Sequence, residues 1–137
     1  MADDDRTRLP YADAAMWRLR PTALLSAAWT VYAVTVVKHR LRRDGLHAVV
    51  PRAPRWDGHA SQAAQGVLDR LEPTCLQRAL VAQAWRATHG DPRDVVIGVP
   101  VNGITGSSAH AWLADTDPVS DSTHHELHRL PPPTPDR

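Results

Sequence analysis

The stretch Pro73-Thr74-Cys75-Leu76-Gln77-Arg78-Ala79-Leu80 decides the fold, because a helix is predicted to begin within it. Proline is tolerated at a helix start, where its missing N–H would have no partner. The helix runs from about Thr74 to Thr88 and ends at His89-Gly90, since glycine suits the left-handed cap position. Its first turn carries Cys75, the only cysteine of the chain.

Apolar periodicity predicts further helices on the N-terminal side of this stretch. The pattern is helical from about Ala12 to Arg43, with a break near Arg20-Pro21 because proline disfavours helix in the residue before it. Another helix runs from about His59 to Leu71, where apolar residues recur at a spacing of three and four. The segment Thr22–Val37 is uncharged, but it is shorter than the roughly 20 apolar residues of a membrane helix. We interpret it as a buried core helix, with a protein–protein face as the alternative.

The period changes from helical to strand-like after Asp91-Pro92-Arg93. Val95–Val99 is short and β-branched, which predicts a buried strand. Ala109–Ala114 is a second strand, with His110, Trp112 and Ala114 on one face. Val119 to about Ser122 is predicted to return antiparallel to it. If Ala114 pairs with Val119, then Asp121 lies opposite Trp112 and one diagonal step from His110.

Length and composition bound the class of protein. The 137 residues suffice for one domain with a core, and helices followed by a small antiparallel sheet predict an α+β fold. The predicted organisation is a flexible N-terminus (1–11), a helical region (12–50), a core (51–128) and a disordered proline-rich tail (129–137). The net charge of +1 gives no reason to expect nucleic acid or a membrane as a partner. A single cysteine fits a reducing compartment, the cytoplasm.

Cys75 and His110 are the candidate catalytic residues. A thiol at a helix N-terminus lies beside the positive end of the helix dipole, which favours the thiolate. An imidazole flanked by an apolar strand needs a polar partner, and Asp115, Asp117 and Asp121 follow as candidates. Cysteine on a helix, then histidine, then aspartate on successive strands is the order of a cysteine hydrolase. The alternative is that Cys75 only packs in the core and that an aspartate partners His110 structurally.

The run His124-His125-Glu126-Leu127-His128 invites a metal hypothesis. It lacks the two-residue spacing between glutamate and histidine that zinc proteases use, although His124 and His128 could share a helical face. We interpret it as a solvated surface run and predict neither a metal nor a cofactor. The sequence also lacks a glycine-rich phosphate loop and a dinucleotide fingerprint.

Three motifs together, Cys75-Leu-Gln-Arg-Ala-Leu80, Val96-Ile-Gly-Val99 and Ala109-His-Ala-Trp112, resemble the B2 leader peptidases of lasso peptide biosynthesis. The resemblance covers about residues 59–122. It implies a transglutaminase/papain-like core, in which the catalytic cysteine at a helix N-terminus packs on a small antiparallel sheet.

The resemblance also implies the roles of the site residues. The catalytic residues would be Cys75, His110 and Asp121. Asp117 is the alternative acid, because the turn after Ala114 is one residue shorter than in the family. Trp112 is interpreted as a core residue or a pocket wall. The backbone N–H groups of Cys75 and Leu76 at the helix start are the natural oxyanion donors.

The implied substrate is a ribosomally made lasso precursor peptide, cut at the junction of leader and core. A small leader-recognition protein of the B1 type would present it, and a separate macrolactam cyclase would use the freed amine. Thr22–Val37 is the candidate docking surface for the leader-recognition protein. Two other functions stay open: a Cys-His acyltransferase or transamidase on the same fold, and a non-catalytic scaffold that binds precursor or partner.

Overall fold

The computed structural model describes residues 20–56, 58–102 and 109–134. In chain order the elements are α1 (Pro21–Asp44), a 3-10 turn (Gly45–His47), α2 (Gly58–Leu71), α3 (Cys75–Thr88), β1 (Val95–Pro100), β2 (His110–Leu113), α4 (Pro118–Thr123) and β3 (His124–Leu130). The predicted flexible N-terminus and the helix predicted before Arg20 lie outside the described residues. So do residues 103–108 of the predicted loop and residues 135–137 of the predicted tail.

The helix α1 begins at the proline that the sequence analysis identified as a break. Arg20 is extended, with φ −67° and ψ 138°, and Pro21 stands in the first turn. The helix ends at Asp44 because Gly45 adopts a φ of 60°, and the Gly45 N–H donates to the carbonyl of Leu41. Within the described part of the chain, no helix has both the length and the apolar character needed to cross a membrane.

The two faces of α1 have different surroundings. One face is buried, and it carries Ala23, Ser26, Thr30, Ala33, Val34 and Val37. The opposite face exposes Leu24, Leu25, Val31 and Tyr32 to solvent. The uncharged segment is therefore a core helix on one side, as predicted, and an exposed apolar surface on the other.

The start of α3 is defined by a capping box. Thr74 Oγ1 accepts a hydrogen bond from the Gln77 N–H at 3.3 Å, and Gln77 Oε1 accepts one from the Thr74 N–H at 3.1 Å. Arg78 donates to the Asp69 carboxylate at 2.8 Å and to the Leu68 carbonyl at 3.1 Å. These bonds hold the first turn of α3 against the end of α2.

The three strands form one antiparallel sheet in the order β2-β1-β3. In the central strand, Gly98 pairs with His110 on one side and with Glu126 on the other. The core cluster joins α3 to the sheet face that bears Val95, Ala111 and Leu113. Because strand residues alternate between faces, His110 and Trp112 lie on the opposite face. The predicted α+β fold, with a helical N-terminal region and a small antiparallel sheet, is confirmed.

The third strand is not where the sequence analysis placed it. Val119–Ser122 lies in α4, so the predicted strand returning against β2 is wrong. The physical reason is a helix-start signal: Asp117 Oδ1 accepts a hydrogen bond from the Ser120 N–H at 3.1 Å, and Pro118 stands in the first turn. The predicted pairing of Ala114 with Val119 is also wrong, since the Ala114 N–H donates to the carbonyl of Asp94.

The histidine-rich run forms β3 instead. It pairs with β1 from His124, opposite Pro100, to Leu130, opposite Val95. Most of its side chains are exposed, as expected of a solvated run, but a shared helical face is excluded, since a strand holds His124 and His128 about 13 Å apart. Among the described residues, no three His, Cys, Asp or Glu side chains are grouped so as to hold a metal ion. Arg129 and Leu130, which were assigned to the predicted tail, are the last residues of β3.

Gly98 of β1 lies close to the backbone of β3 and to the side chain of Trp112 on β2. A Cβ atom at this position would lie 2.5 Å from the His125 carbonyl oxygen and 2.9 Å from Cη2 of Trp112. The backbone has little freedom to move aside, because β1 pairs with both other strands here and the pairing with β3 contains an irregularity between Ile97 and Gly98. The missing side chain at Gly98 therefore lets the Trp112 ring lie against β1.

We predict that Gly98→Ala lowers the free energy of unfolding by about 1–3 kcal/mol, the usual cost of overpacking. Gly66→Ala is the matched control, because Gly66 lies inside α2 and an added Cβ has nothing within 4 Å. Alanine at that position should stabilise the protein by about 0.5–1 kcal/mol. Urea denaturation of both variants measures the difference, and a Gly98→Ala variant as stable as the wild type would contradict the close packing of Trp112.

Candidate active site

Cys75 is the first residue of α3, and the capping box determines which groups surround it. A helix start leaves four N–H groups without intrahelical partners. The box uses those of Thr74 and Gln77. In the described part of the chain, no hydrogen bond uses the N–H of Cys75 or of Leu76. Two backbone donors thus lie beside the thiol at the positive end of the helix.

The thiol lies next to the start of β2. Sγ of Cys75 is 4.0 Å from the carbonyl oxygen of Ala109, the residue before His110. Ala109 precedes the first paired residue of β2, so half-buried Cys75 lies near the end of this strand, where it also packs against the core cluster. Between the side chains of Cys75 and His110, which the structure both describes, there is no hydrogen bond. The structure thus brings the two candidates to the same end of the sheet without joining them.

His110 belongs to a cluster of three rings on the sheet face opposite α3. Its imidazole stacks on Trp112, with centroids 5.7 Å apart and planes at 16°. His124, at the start of β3, completes the cluster at 5.4 Å from His110 and 5.3 Å from Trp112. His124 was not among the predicted site residues, because the histidine-rich run was placed outside the sheet. The one indirect signal was the β-branched run Val95–Val99, since a buried strand needs a pairing partner on each edge, but this does not identify the partner.

Asp121 contacts Trp112 rather than His110. Its Oδ1 accepts a hydrogen bond from Nε1 of Trp112 at 2.8 Å. The predicted strand register for Asp121 is wrong, because this residue comes from a helix. Even so, Asp121 lies against the tryptophan that the register placed opposite it.

Asp117 caps α4, and its carboxylate is bound by Ser120. Its Oδ1 accepts from the Ser120 N–H at 3.1 Å, and its Oδ2 accepts from the Ser120 hydroxyl at 2.6 Å. The hydroxyl bond above all, then the backbone bonds, lower the pKa of Asp117, and the positive charge of His110 is the smallest cause acting in the same direction. Asp115 is exposed, has a left-handed φ of 59°, and lies 3.6 Å from Arg93.

The structure thus combines a cysteine at a capped helix start with a histidine on a strand of a small antiparallel sheet. The chain belongs to the transglutaminase-like superfamily, whose family model matches residues 23–131. This superfamily includes cysteine peptidases and acyltransferases. Neither a curated protein nor a solved structure matches the chain significantly. The match takes in α1 together with the sheet, and the predicted division of the chain at residue 51 stays a prediction.

The hydrogen bonds from Ser120 should make stability depend on pH through Asp117. Since folding lowers the pKa of this carboxyl, its contribution is complete above the unfolded value of about 3.9. The contribution is lost as the pH falls from there through the folded pKa. The free energy of unfolding of Asp117→Asn should therefore fall less steeply than that of the wild type below about pH 4.

Urea denaturation at a series of acidic pH values checks this prediction. Ser120→Ala is the companion variant, because it keeps the carboxylate and removes the hydroxyl donor. The free energy of unfolding of this variant should also fall less steeply than that of the wild type as the pH is lowered. If the free energy of unfolding of both variants falls with pH as steeply as that of the wild type, the bonds from Ser120 do not form in solution.

Proposed function

We propose that the protein is a cysteine peptidase that removes the leader from a ribosomally synthesised lasso peptide precursor, with Cys75 as nucleophile and His110 as general base. The observation that carries the proposal is the start of α3, where the N–H groups of Cys75 and Leu76 flank a thiol next to the strand of His110. Membership of the transglutaminase-like superfamily supports cysteine-based chemistry. The resemblance of the three motifs to lasso leader peptidases supports the substrate class.

In the proposed reaction His110 takes the proton of the Cys75 thiol, and the sulfur attacks the carbonyl carbon of the scissile peptide bond. The oxyanion forms beside the N–H groups of Cys75 and Leu76, which are already oriented by the helix. His110 then gives its proton to the leaving amine, and the C–N bond breaks to leave a thioester. Water, deprotonated by His110, attacks the thioester, releases the leader carboxylate and restores the thiol.

Two carboxylates are proposed to support His110. Asp117 is proposed to add negative charge near His110, whose positive charge is the smallest of the causes that lower the pKa of Asp117. Asp121 is the acid that the family resemblance implies, and its described hydrogen bond goes to Trp112. The amine freed by the reaction is the group that a separate macrolactam cyclase would join to a side-chain carboxylate. Both steps are placed in the cytoplasm in this proposal.

We predict that Cys75→Ala and His110→Ala each lower the cleavage rate by about 10³-fold or more, because nucleophile and base act as one unit. Mass spectrometry of the precursor, incubated with the protein and its leader-recognition partner, measures loss of the leader. His125→Ala is the matched control, since His125 is an exposed histidine of β3. It should cleave at the wild-type rate, and all three variants should unfold at similar temperatures.

The same assay separates the alternative functions. Added hydroxylamine traps an acyl-enzyme. If the amine replaces water as the main acceptor even at low concentration, the protein is an acyltransferase rather than a peptidase. If the wild type binds the precursor without cleaving it, and Cys75 resists alkylation near neutral pH, the protein is a scaffold.

The exposed apolar face of α1 is proposed as the docking surface for the leader-recognition protein. Leu24, Leu25, Val31 and Tyr32 are between 46% and 58% exposed, and their spacing places them on one side of the helix. Lys38, Arg42 and Arg43 follow them along α1. An apolar surface of this kind, bordered by charge, is typical of protein–protein contact, and it fits a partner with an apolar patch bordered by acidic residues.

We predict that Leu25→Glu and Val31→Glu each weaken binding of this partner by at least about tenfold, since a buried unpaired charge costs more than 1.4 kcal/mol. Leu127→Glu is the control, because Leu127 is 63% exposed but lies on β3. Isothermal titration calorimetry measures the three affinities. Unchanged affinity in both α1 variants would exclude this face as the docking surface.

A further inference from the structure

We infer that Asp121 is a positioning residue, which acts on the His110 imidazole through the Trp112 ring. The inference rests on the proposed function of His110 as general base. It gives the pair of Asp121 and Trp112 the task of fixing the orientation of the imidazole.

The Trp112 ring is held in one orientation. Trp112 is only 6% exposed, and a buried indole N–H needs an acceptor. Asp121 provides it, at 2.8 Å, and a hydrogen bond to a carboxylate is stronger than one to a neutral group. The other edge of the ring lies against β1, where Gly98 leaves room for Cη2. A hydrogen bond at one edge and backbone at the other prevent the ring from tilting.

His110 takes its orientation from this ring. It is the first residue of β2, an edge strand, and its half-buried imidazole lies almost parallel to the indole, at 16°. His124 lies against both rings at an angle. A tilt of Trp112 would therefore move the imidazole relative to Cys75. Such displacements matter because a general base has to lie within hydrogen-bond reach of the proton that it takes.

The two carboxylates near α4 have different partners. Both oxygens of Asp117 accept hydrogen bonds from Ser120, whereas the described hydrogen bond of Asp121 comes from Trp112. The Trp112 bond therefore gives Asp121 a task that Asp117 does not share.

A spectroscopic experiment tests the inference without requiring activity. The indole N–H of Trp112 gives a ¹H–¹⁵N cross-peak, assigned as the one lost in Trp112→Phe. Asp121→Ala should shift this peak upfield, speed its exchange with water and move the His110 ring-proton resonances. Asp121→Asn keeps an oxygen acceptor and should restore all three properties. Ser122→Ala, at the neighbouring exposed position of α4, is the control and should leave the peaks in place. An unmoved Trp112 peak in Asp121→Ala would overturn the inference.

A double-mutant cycle on the cleavage reaction tests the route of the effect. Asp121→Ala should lower kcat by about 10- to 100-fold, the scale of a small misplacement of a catalytic group. In a Trp112→Phe background, which has no indole donor, the same substitution should change kcat by less than about twofold. Equal losses in both backgrounds would mean that Asp121 acts on His110 directly, which would overturn the inference.

The two experiments also separate this inference from the proposed function. If the wild type cleaves no precursor but Asp121→Ala still moves the Trp112 and His110 resonances, the peptidase proposal fails and the positioning contact stands. If the wild type cleaves and Asp121→Ala moves neither resonance, the peptidase proposal stands and the positioning role is refuted.

Discussion

The reciprocal hydrogen bonds between Thr74 and Gln77 determine the residue at which α3 begins, and the candidate site depends on that residue being Cys75. Such a cap is worth about 1 kcal/mol of stability, a small amount compared with the core. Its structural effect is larger, because it uses the N–H groups on either side of Cys75 and Leu76 and leaves those two unused in the described part of the chain. The bonds of Arg78 to α2 then fix where this helix end lies.

The second constraint is the narrow space at the middle of the sheet. A three-stranded sheet offers one central strand, and here that strand carries Gly98 at the point where Trp112 lies against it. With any larger residue the indole would have to lift, and the imidazoles of His110 and His124 that rest against it would lift as well. The backbone of β1 thus determines how closely the three rings lie to the sheet, and the cap of α3 determines the position of the thiol. Neither feature involves a catalytic side chain.

The elements predicted correctly were those with local signals. The proline break before α1, the end of α2, the start of α3 and the β-branched run of β1 each depend on a few neighbouring residues. The strand β3 is different, because its histidines and charges have low intrinsic strand preference and it forms through pairing with a segment about thirty residues earlier. The segment after Asp117 was misread because aspartate followed by proline begins both turns and helices. The placing of Cys75 and His110 at one end of the sheet followed from the correct elements, whereas the ring of His124 could not be foreseen without β3.

The change from strand to helix after Asp117 also explains why sequence reasoning could not choose between the two carboxylates. Residues four apart share a side in a strand and in a helix, so the pattern is the same in both. The distance differs, because four residues span about 13 Å in a strand and about 6 Å along a helix. The hydrogen bond from the Asp121 N–H to the Asp117 carbonyl, at 3.0 Å, shows that one helical turn separates them. At that spacing the two carboxylates have different partners: Asp117 accepts hydrogen bonds from Ser120, and Asp121 accepts one from Trp112. A single turn of helix therefore brings Asp121 to Trp112 while Asp117 caps the helix.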